Sequence, residues 1–420
     1  MTTRLSKAAR DPELTTSREA FIEAFSTGDF LYPKIAVYRG AGASHSWTWF
    51  ADLLGRLSLF DVDFIDGAKV IDGLAGYDVL LFGGGDTYEK ARALGAAGAA
   101  QLEHAVESGS LYWGSCAGAY MVLSEVDLEP FTPFSLVPAS MKNVIEDPPP
   151  PRCMAHKYLA PYGDGWVFNP VYGEVLLNAS DGRKLCAPLY GGPVMSAGEG
   201  SAVVARYGGE LGRASYLWEP PEAMDFIRDS AAVLSNNVGD GVVYAAGPHL
   251  EHPMFGKANA LIGRELVSFC KNRAARTRAA SIPVSHHGTG ERERLCAGMK
   301  RETSNARIAS FGLEKMPLTW TSGVKVWEPA KVSMFLECAW GRLPQLARLS
   351  GNAPINELEA LERGYAGISV MVKSVVRLAS RGEDSRAEAL TLLFTLKELT
   401  ARFLSLYFRL RLDGMPGTRS

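Results

Sequence analysis

A cysteine flanked by small residues is the chemically clearest feature of this 420-residue sequence. Residues 114–118 read Gly-Ser-Cys-Ala-Gly and follow an apolar Leu-Tyr-Trp run, so we expect Cys116 on a sharp turn from a strand into a helix. Small neighbours relieve crowding at such a turn. A helix N-terminus would favour the thiolate and supply an N–H donor to a developing oxyanion. A buried structural cysteine is the alternative interpretation.

A cysteine nucleophile needs a base, and His249 and Glu251 are the candidates. They follow residues 242–246, an apolar run typical of a buried strand. In an extended segment residues two apart share a face, so both side chains can point one way while Leu250 points into the core. A carboxylate beside an imidazole fixes its tautomer and stabilises the imidazolium. A loop histidine with a solvated neighbour is the alternative.

A run of glycines forms a third candidate element. Gly83, Gly84 and Gly85 follow the strand-like residues 79–82 and precede Asp86. Because glycine has no side chain, the N–H groups of this run can turn toward a ligand, although a flexible turn would look the same. All three motifs follow strands, and ligands of parallel α/β sheets bind at the carboxyl ends of strands. We therefore expect them to meet at one edge of a sheet.

In this order the motifs resemble the class I glutamine amidotransferase-like superfamily, and more closely its biotin-protein ligase N-terminal-domain branch. The matching segments lie roughly within residues 34–272 and are 38–42 (Tyr-Arg-Gly-Ala-Gly), 116–120 (Cys-Ala-Gly-Ala-Tyr), 189–193 (Leu-Tyr-Gly-Gly-Pro) and 247–251 (Gly-Pro-His-Leu-Glu). The resemblance implies a flavodoxin-like, doubly wound and mostly parallel α/β sheet.

The resemblance also implies roles for individual residues. The implied catalytic residues are the nucleophile Cys116, the general acid/base His249 and the orienting carboxylate Glu251. The backbone N–H groups implied for the oxyanion hole are those of Gly84, Gly85 and Ala117. The substrate-binding candidates are Gly40, Tyr120 and Tyr190.

Tyr120 departs from the pattern of authentic glutaminases. These usually carry glutamine two residues after the second elbow glycine, where it helps to bind substrate glutamine, and here that position is a tyrosine. The sequence also contains no phosphate-binding loop of the G-x-x-x-x-G-K-[ST] type. Glutamine hydrolysis is therefore in question, and a synthetase using released ammonia would be a separate polypeptide.

Composition agrees with a soluble, cytoplasmic enzyme. Hydrophobic residues make up 47% and charged residues 21%, and the net charge of −2 argues against general binding of nucleic acids or membrane surfaces. The six cysteines lack C-x-x-C pairing, which favours a reducing compartment. No apolar run reaches the length of about 18 residues that a membrane span needs. We expect no cofactor, and no metal at His249 and His252 or at the isolated pair His286 and His287.

The chain divides into four predicted regions. Residues 1–33 form an N-terminal extension with a short helix over 17–25, capped by Thr15 and Thr16. Residues 34–272 alternate strands with helices, as expected of the catalytic α/β domain, and three later strands at 202–207, 214–217 and 232–235 extend its sheet. Residues 273–307 form a basic polar linker, because they hold eight Lys or Arg residues and few large apolar ones.

Residues 127–200 interrupt the alternation with a polyproline segment at 148–151 and many aromatic residues. This composition fits two interpretations. The segment is a lid or pocket wall beside the cysteine, or it is an insertion packed for stability.

Residues 308–420 form the fourth region, a helical module. Two apolar stripes at helical spacing run over residues 358–375 and 392–410, separated by a helix stop at Gly382 and a capping box of Ser385 and Glu388. Such stripes form a bundle core or dock a partner, so a homodimer or a protein partner on these helices is an open alternative.

The sequence thus predicts a cysteine-dependent amidohydrolase or acyl-transfer enzyme. Its substrate would be a small-molecule amide, a peptide-like molecule or a related carbonyl compound, attacked by the thiol to give a thioester. Two alternatives stay open. One is a non-catalytic protein that keeps the pocket for a ligand or a scaffolding role, and the other is the glutaminase subunit of a two-component amidotransferase.

Overall fold

Short, buried strands form the centre of the larger of two units. The computed structural model describes residues 11–124, 129–147, 158–209, 212–275, 289–322 and 325–415. One unit comprises residues 1–59 and 65–276, and the other comprises residues 60–64 and 277–420. The polyproline segment 148–151 and the pair His286 and His287 lie outside the described residues.

The strands are β1 Ile35–Tyr38, β2 Val62–Ile65, β3 Val79–Phe82, β4 Leu111–Ser115, β5 Ala139–Met141, β6 Val144–Ile145, β7 Leu159–Tyr162, β8 Gly165–Phe168, β9 Val171–Ala179, β10 Lys184–Leu189, β11 Met195–Ala197, β12 Ala202–Tyr207, β13 Ala214–Tyr216, β14 Ala231–Val238, β15 Gly241–Ala246, β16 Trp320–Ser322 and β17 Lys325–Trp327. The helices are α1 Pro12–Thr27, α2 Trp47–Leu57, α3 Gly67–Asp72, α4 Thr87–Glu107, α5 Ala117–Tyr120, α6 Pro220–Ile227, α7 Gly256–Lys271, α8 Thr289–Glu314, α9 Ala330–Trp340, α10 Leu343–Leu349, α11 Ile355–Ser380 and α12 Arg386–Asp413.

Within the described residues the central sheet has 12 strands, with the main order β10-β9-β12-β14-β15-β4-β3-β1-β2. Strands β1, β3, β4 and β15 are parallel neighbours, in registers that pair Val79 with Ile35 and Leu111 with both Val79 and Val242. Every residue of β1, β3 and β4 is buried, which explains the apolar sequences of β1 and β3 and of residues 111–113 in β4. Their carboxyl ends therefore lie at one edge, where the glycine run and Cys116 emerge.

Antiparallel strands complete the other half of the sheet. β14 pairs antiparallel with β15 and with β12, and β9 pairs antiparallel with β12, β10 and β13. The prediction that three strands after residue 200 extend the sheet is confirmed. β6, β7 and β8, within the aromatic segment, form a separate three-stranded sheet.

The N-terminal helix starts earlier than its sequence pattern indicates. α1 begins at Pro12, because the Asp11 carboxylate accepts hydrogen bonds from Glu13 N at 3.0 Å and Leu14 N at 3.4 Å. The predicted cap at Thr15 and Thr16 is wrong, since aspartate before a proline at the first helical position is the stronger start signal. The helix ends at Gly28, as predicted, with φ 71°.

The predicted linker is helical in its second half. Residues 289–307 form the first part of α8, and the side chains of Leu295, Cys296 and Met299 are buried. Lys300 and Arg301 are exposed on the same helix. The charged residues of this helical part thus belong to one solvated face of an amphipathic helix. Counting charges without their helical spacing wrongly predicts a linker here.

The helical unit covers its own apolar faces. Every residue of the two predicted stripes is buried, and α11 packs against both α8 and α12. α11 ends at Ser380, and Gly382 has φ 69°, as expected of a helix stop. α12 starts after Ser385, but the Ser385 hydroxyl accepts from Trp320 Nε1 at 3.2 Å instead of capping the helix. No helix in the described ranges is both long and apolar enough to cross a membrane.

Gly118 offers a test of the packing that shapes the turn at Cys116. A Cβ at Gly118 would lie 2.1 Å from the carbonyl oxygen of Phe82 in β3, so Gly118→Ala should lower the free energy of unfolding by about 1–3 kcal/mol. Gly55→Ala is the matched control, because Gly55 lies in α2 with no atom within 4 Å of an added Cβ, and alanine is the better helix former. Equal stability of the two variants in urea unfolding would contradict this account.

Candidate active site

Cys116 stands on a strained turn between β4 and α5. Its φ and ψ are 53° and −109°, a region that costs a non-glycine residue on the order of 1–3 kcal/mol. The Cys116 N–H donates to Ala246 O of the adjacent β15 at 2.8 Å, which fixes the backbone. A Cβ on Gly114 would lie 2.4 Å from Gly118 O, so the turn requires a glycine there. This is the strand-turn-helix geometry that the sequence predicts.

His249 and Glu251 lie in the turn that follows β15. The His249 N–H donates to Pro188 O at 2.9 Å, and the His252 N–H donates back to His249 O at 3.2 Å. The segment is therefore a turn and not the extended strand that the sequence argument assumes. The side chains nevertheless meet, with His249 Nδ1 2.7 Å from Glu251 Oε1, and Leu250 is buried as expected.

Glu251 is a completely buried carboxylate with both oxygens occupied. Its side chain has no solvent exposure, Oε1 contacts His249, and Oε2 accepts a hydrogen bond from Ser115 Oγ at 2.9 Å. Burying a carboxylate is costly unless it is paired and hydrogen-bonded. The two contacts therefore satisfy both oxygens of the buried carboxylate and fix its orientation toward the imidazole.

His249 links the carboxylate to the thiol. Burial alone would lower its pKa, but the Glu251 carboxylate, followed by a hydrogen bond to Cys116, outweighs burial and raises the pKa of His249 to about 10. The neighbouring His252 is affected in the opposite direction, since burial and the positive charges of His249 and Arg56 lower its pKa to about 3. Near neutral pH the arrangement thus holds a proton on His249, and His252 is neutral.

The glycine run meets the same two side chains. A Cβ on Gly84 would lie 2.6 Å from His249 Cε1 and 3.4 Å from Cys116 Cβ. Among the residues that the structure describes, the N–H groups of Gly84, Gly85 and Ala117 have no hydrogen-bond acceptor. The three predicted oxyanion donors are thus available to a ligand.

The helix after Cys116 contributes less to stabilising a thiolate than the sequence suggests. α5 spans four residues, Ala117–Tyr120, so it has a single turn and little of the dipole that a long helix would direct at the sulfur. The charge that favours a thiolate comes instead from the His249 imidazolium.

The three substrate-binding candidates occupy different surroundings. The Tyr190 carbonyl lies 3.9 Å from Cys116 Sγ, and the Tyr190 ring centroid lies 5.8 Å from that of His249. Tyr120 is 3% exposed, and its hydroxyl accepts from Asn143 Nδ2 at 2.6 Å, so it is buried beside the site. Gly40 faces Tyr38, whose hydroxyl would be 2.7 Å from an added Cβ, and none of its described contacts reaches the cysteine.

The aromatic segment contributes both to the core and to the site. Asn143, which is completely buried, donates to Gly192 O at 3.2 Å and accepts from Val194 N at 3.1 Å. The Tyr162 hydroxyl donates to Tyr120 O at 2.7 Å. The Asn143 bonds hold the segment together, and the Tyr162 bond ties it to the helix after Cys116. Tyr190 from the same segment borders Cys116 and His249.

Several residues of the site escape sequence reasoning. Ser115 precedes Cys116 but is typical of a small turn residue, and Trp49, whose ring centroid lies 5.2 Å from that of His249, is typical of a core position of α2. Lys90, buried beneath the glycine run, reads as a solvated helix residue. For Lys90 the only local signal is a lysine five residues after a Gly-Gly-Gly segment.

No protein-family model matches the sequence, and no curated protein matches it. Solved structures with detectable similarity include a protein described provisionally as a GMP synthase subunit, from Thermoplasma acidophilum, with 11% identity and a TM-score of 0.35 over 57% of this chain and 95% of that one. A β-galactosidase from Bacillus circulans sp. alkalophilus has 14% identity and a TM-score of 0.32, covering 56% of this chain and 31% of that one.

An exo-β-1,4-mannosidase from Opitutaceae bacterium strain TAV5 has 12% identity and a TM-score of 0.29, covering 59% of this chain and 37% of that one. The chain thus spans about a third of the length of each glycosidase. Similarity at these scores carries no argument about this chain, and the geometry of its own residues decides how the site is interpreted.

The ion pair of His249 and Glu251 predicts a pH dependence of stability. In Cys116→Ser no thiol titrates here, and the Glu251 carboxylate still raises the pKa of folded His249 above the 6.5 of an unfolded histidine. The stability from the pair is fully present below pH 6.5 and is lost as pH rises through the folded pKa, with a slope of at most about 1.4 kcal/mol per pH unit. Adding Glu251→Gln should remove most of this decrease, because Glu251 is the largest of the causes that raise the pKa.

Urea titrations at several pH values measure the free energy of unfolding of Cys116→Ser with and without Glu251→Gln. Apart from Glu251, the two variants have the same titrating groups. Parallel stability curves above pH 6.5 would contradict a protonated His249 paired with Glu251.

Proposed function

We propose that this protein is a cysteine-dependent amidohydrolase or acyl-transfer enzyme. The observation that carries the proposal is the contact of His249 with both the nucleophile candidate Cys116 and the buried carboxylate of Glu251. Strained backbone at the cysteine and N–H donors without acceptors beside it support the same function. Structural cysteines need none of these features.

The proposed reaction begins with the Cys116 thiolate attacking the carbonyl carbon of an amide. The carbonyl π electrons move to oxygen, and the resulting oxyanion accepts hydrogen bonds from the N–H groups of Ala117 and of Gly84 or Gly85. As the C–N bond breaks, His249 donates its proton to the leaving amine and a thioester remains. Water or an amine then gives a proton to His249 and attacks the thioester, which releases the acyl group and restores the thiolate.

The finer assignments are part of the proposal. Residues 34–272 would form the catalytic domain, flavodoxin-like in its parallel half and similar to the biotin-protein ligase N-terminal-domain branch at the four motifs. The substrate would be a small-molecule amide or a peptide-like molecule, and the protein would act in the cytoplasm without a cofactor. The helices of residues 308–420 cover their own apolar stripes, so this enzyme needs no second copy to bury them.

Replacing the nucleophile tests the assignment directly. Cys116→Ser changes the side-chain volume little but offers a far weaker nucleophile, so the thioester formed by the wild-type protein with amides or small peptides should be absent. Intact-mass spectrometry of both proteins after mixing with a substrate panel measures it. Equal turnover by the two proteins would refute the role of Cys116, and an unreactive wild-type thiol would favour the ligand-binding alternative.

The other two side chains should differ in their effects. His249→Ala removes the group that moves the proton and should lower kcat by about 10²–10⁴-fold. Glu251→Gln keeps a side chain of similar shape that can still orient the ring, so the loss should be smaller. Steady-state kinetics of both variants, each checked for folding by circular dichroism, compares them. A larger loss in Glu251→Gln than in His249→Ala would contradict these roles.

Glutamine is expected to be a poor substrate. The buried Tyr120 fills the position of the glutamine-contacting residue and is held by Asn143 and Tyr162. Ammonia release from free glutamine should therefore stay well below about 1 per second, a modest rate for enzymes. A coupled ammonia assay measures this rate. Faster release would support the glutaminase alternative.

A further inference from the structure

Lys90 is a buried lysine beneath the glycine run. Its side chain has no solvent exposure, although it lies in the first turn of α4, where its sequence neighbour Glu89 is exposed. The Lys90 ammonium donates to Gly83 O at 2.5 Å and to Gly84 O at 3.0 Å. Moving an ammonium group out of water is costly, so its position inside the protein requires compensation. Two carbonyl acceptors from consecutive residues supply part of it.

These two bonds fix the direction of two peptide groups. The only cis peptide bond in the described part of the chain joins Glu129 and Pro130, so the peptides of the glycine run are trans. In a trans peptide the carbonyl of one residue and the N–H of the next point in opposite directions. Holding Gly83 O and Gly84 O toward Lys90 therefore directs the N–H groups of Gly84 and Gly85 away from it.

The nucleophile borders this run at Gly84. An added Cβ on Gly84 would contact His249 Nε2 at 3.0 Å and Cys116 Cβ at 3.4 Å, and the N–H groups of Gly84 and Gly85 have no acceptor among the described residues. Two further bonds hold the run in place: Ser44 N donates to Gly84 O at 3.0 Å, and Asp86 N donates to Gly42 O at 2.8 Å.

Consecutive glycines have the largest conformational freedom of any backbone, so this run would not keep its N–H groups in one direction unaided. We propose that Lys90 is a positioning residue that preorganises the oxyanion hole by holding Gly83 O and Gly84 O. The positive charge of the Lys90 ammonium beside these carbonyls also polarises both peptides and makes their N–H groups stronger donors. The inference rests on the proposed acyl-transfer function. In it Lys90 does not contact the substrate and acts only through the two carbonyls.

The test separates two reactions of the same thiol. Acylation of Cys116 by p-nitrophenyl acetate passes through an oxyanion, whereas alkylation by iodoacetamide does not. Lys90→Met removes the charge and both hydrogen bonds while keeping a side chain of similar length. We expect its acylation rate to fall by about 100-fold, as when an oxyanion-hole donor is removed, while alkylation stays within about threefold of wild type.

The comparison uses the full chain and includes matched controls. Lys257→Met makes the same chemical change at an exposed lysine of α7 and should leave both rates unchanged. Lys90→Gln, whose side-chain amide can donate to one of the two carbonyls, should recover part of the acylation rate, and it carries the test if Lys90→Met does not fold. Cys116→Ser gives the background for both reagents.

Two results would overturn the role of Lys90 alone. Equal acylation of wild type and Lys90→Met would show that the run is positioned without it, and equal losses of acylation and alkylation would show a structural role only. A wild-type protein that is alkylated but never acylated at Cys116 would overturn the proposed function, and the role of Lys90 with it.

Discussion

The buried carboxylate of Glu251 is the interaction on which the rest of the site depends. A charge without solvent exposure must be compensated within the fold, and here Ser115 donates to one oxygen while His249 occupies the other. This compensation keeps a proton on His249, and the imidazolium is the positive charge beside Cys116. Removing the carboxylate would therefore change the charge of the entire site.

Sheet order brings these groups together. β15, β4 and β3 are adjacent and parallel, so the turn with His249, the turn with Cys116 and the glycine run leave the same edge. The approach is close enough that an added Cβ on Gly118 would lie 2.1 Å from Phe82 O. Glycine is needed at position 118 because the backbone of α5 packs directly against the backbone of β3, and no side-chain movement could relieve the contact.

Local sequence patterns predicted most of this scaffold. The apolar strands and the long amphipathic helices are visible because burial on both faces, or on one stripe, leaves a periodic record in the chain. Errors arose where two signals compete. Asp11 caps α1 because its carboxylate reaches two N–H groups ahead of Thr15, and residues 289–307 are helical because their few apolar side chains share one face.

For the candidate site, the sequence by itself determined the chemical groups: Cys116 between small residues, His249 two residues from Glu251, and glycines after a strand, since each motif needs particular residue types at short spacing. Only the tertiary structure decided which other groups join them. Ser115 and Asn143 bond to side chains that lie 136 and 23 residues away in the chain. Lys90 bonds to a backbone carbonyl seven residues away, and backbone atoms carry no sequence signal. Such contacts follow from how strands and loops pack, and packing is a property of the whole fold rather than of any segment.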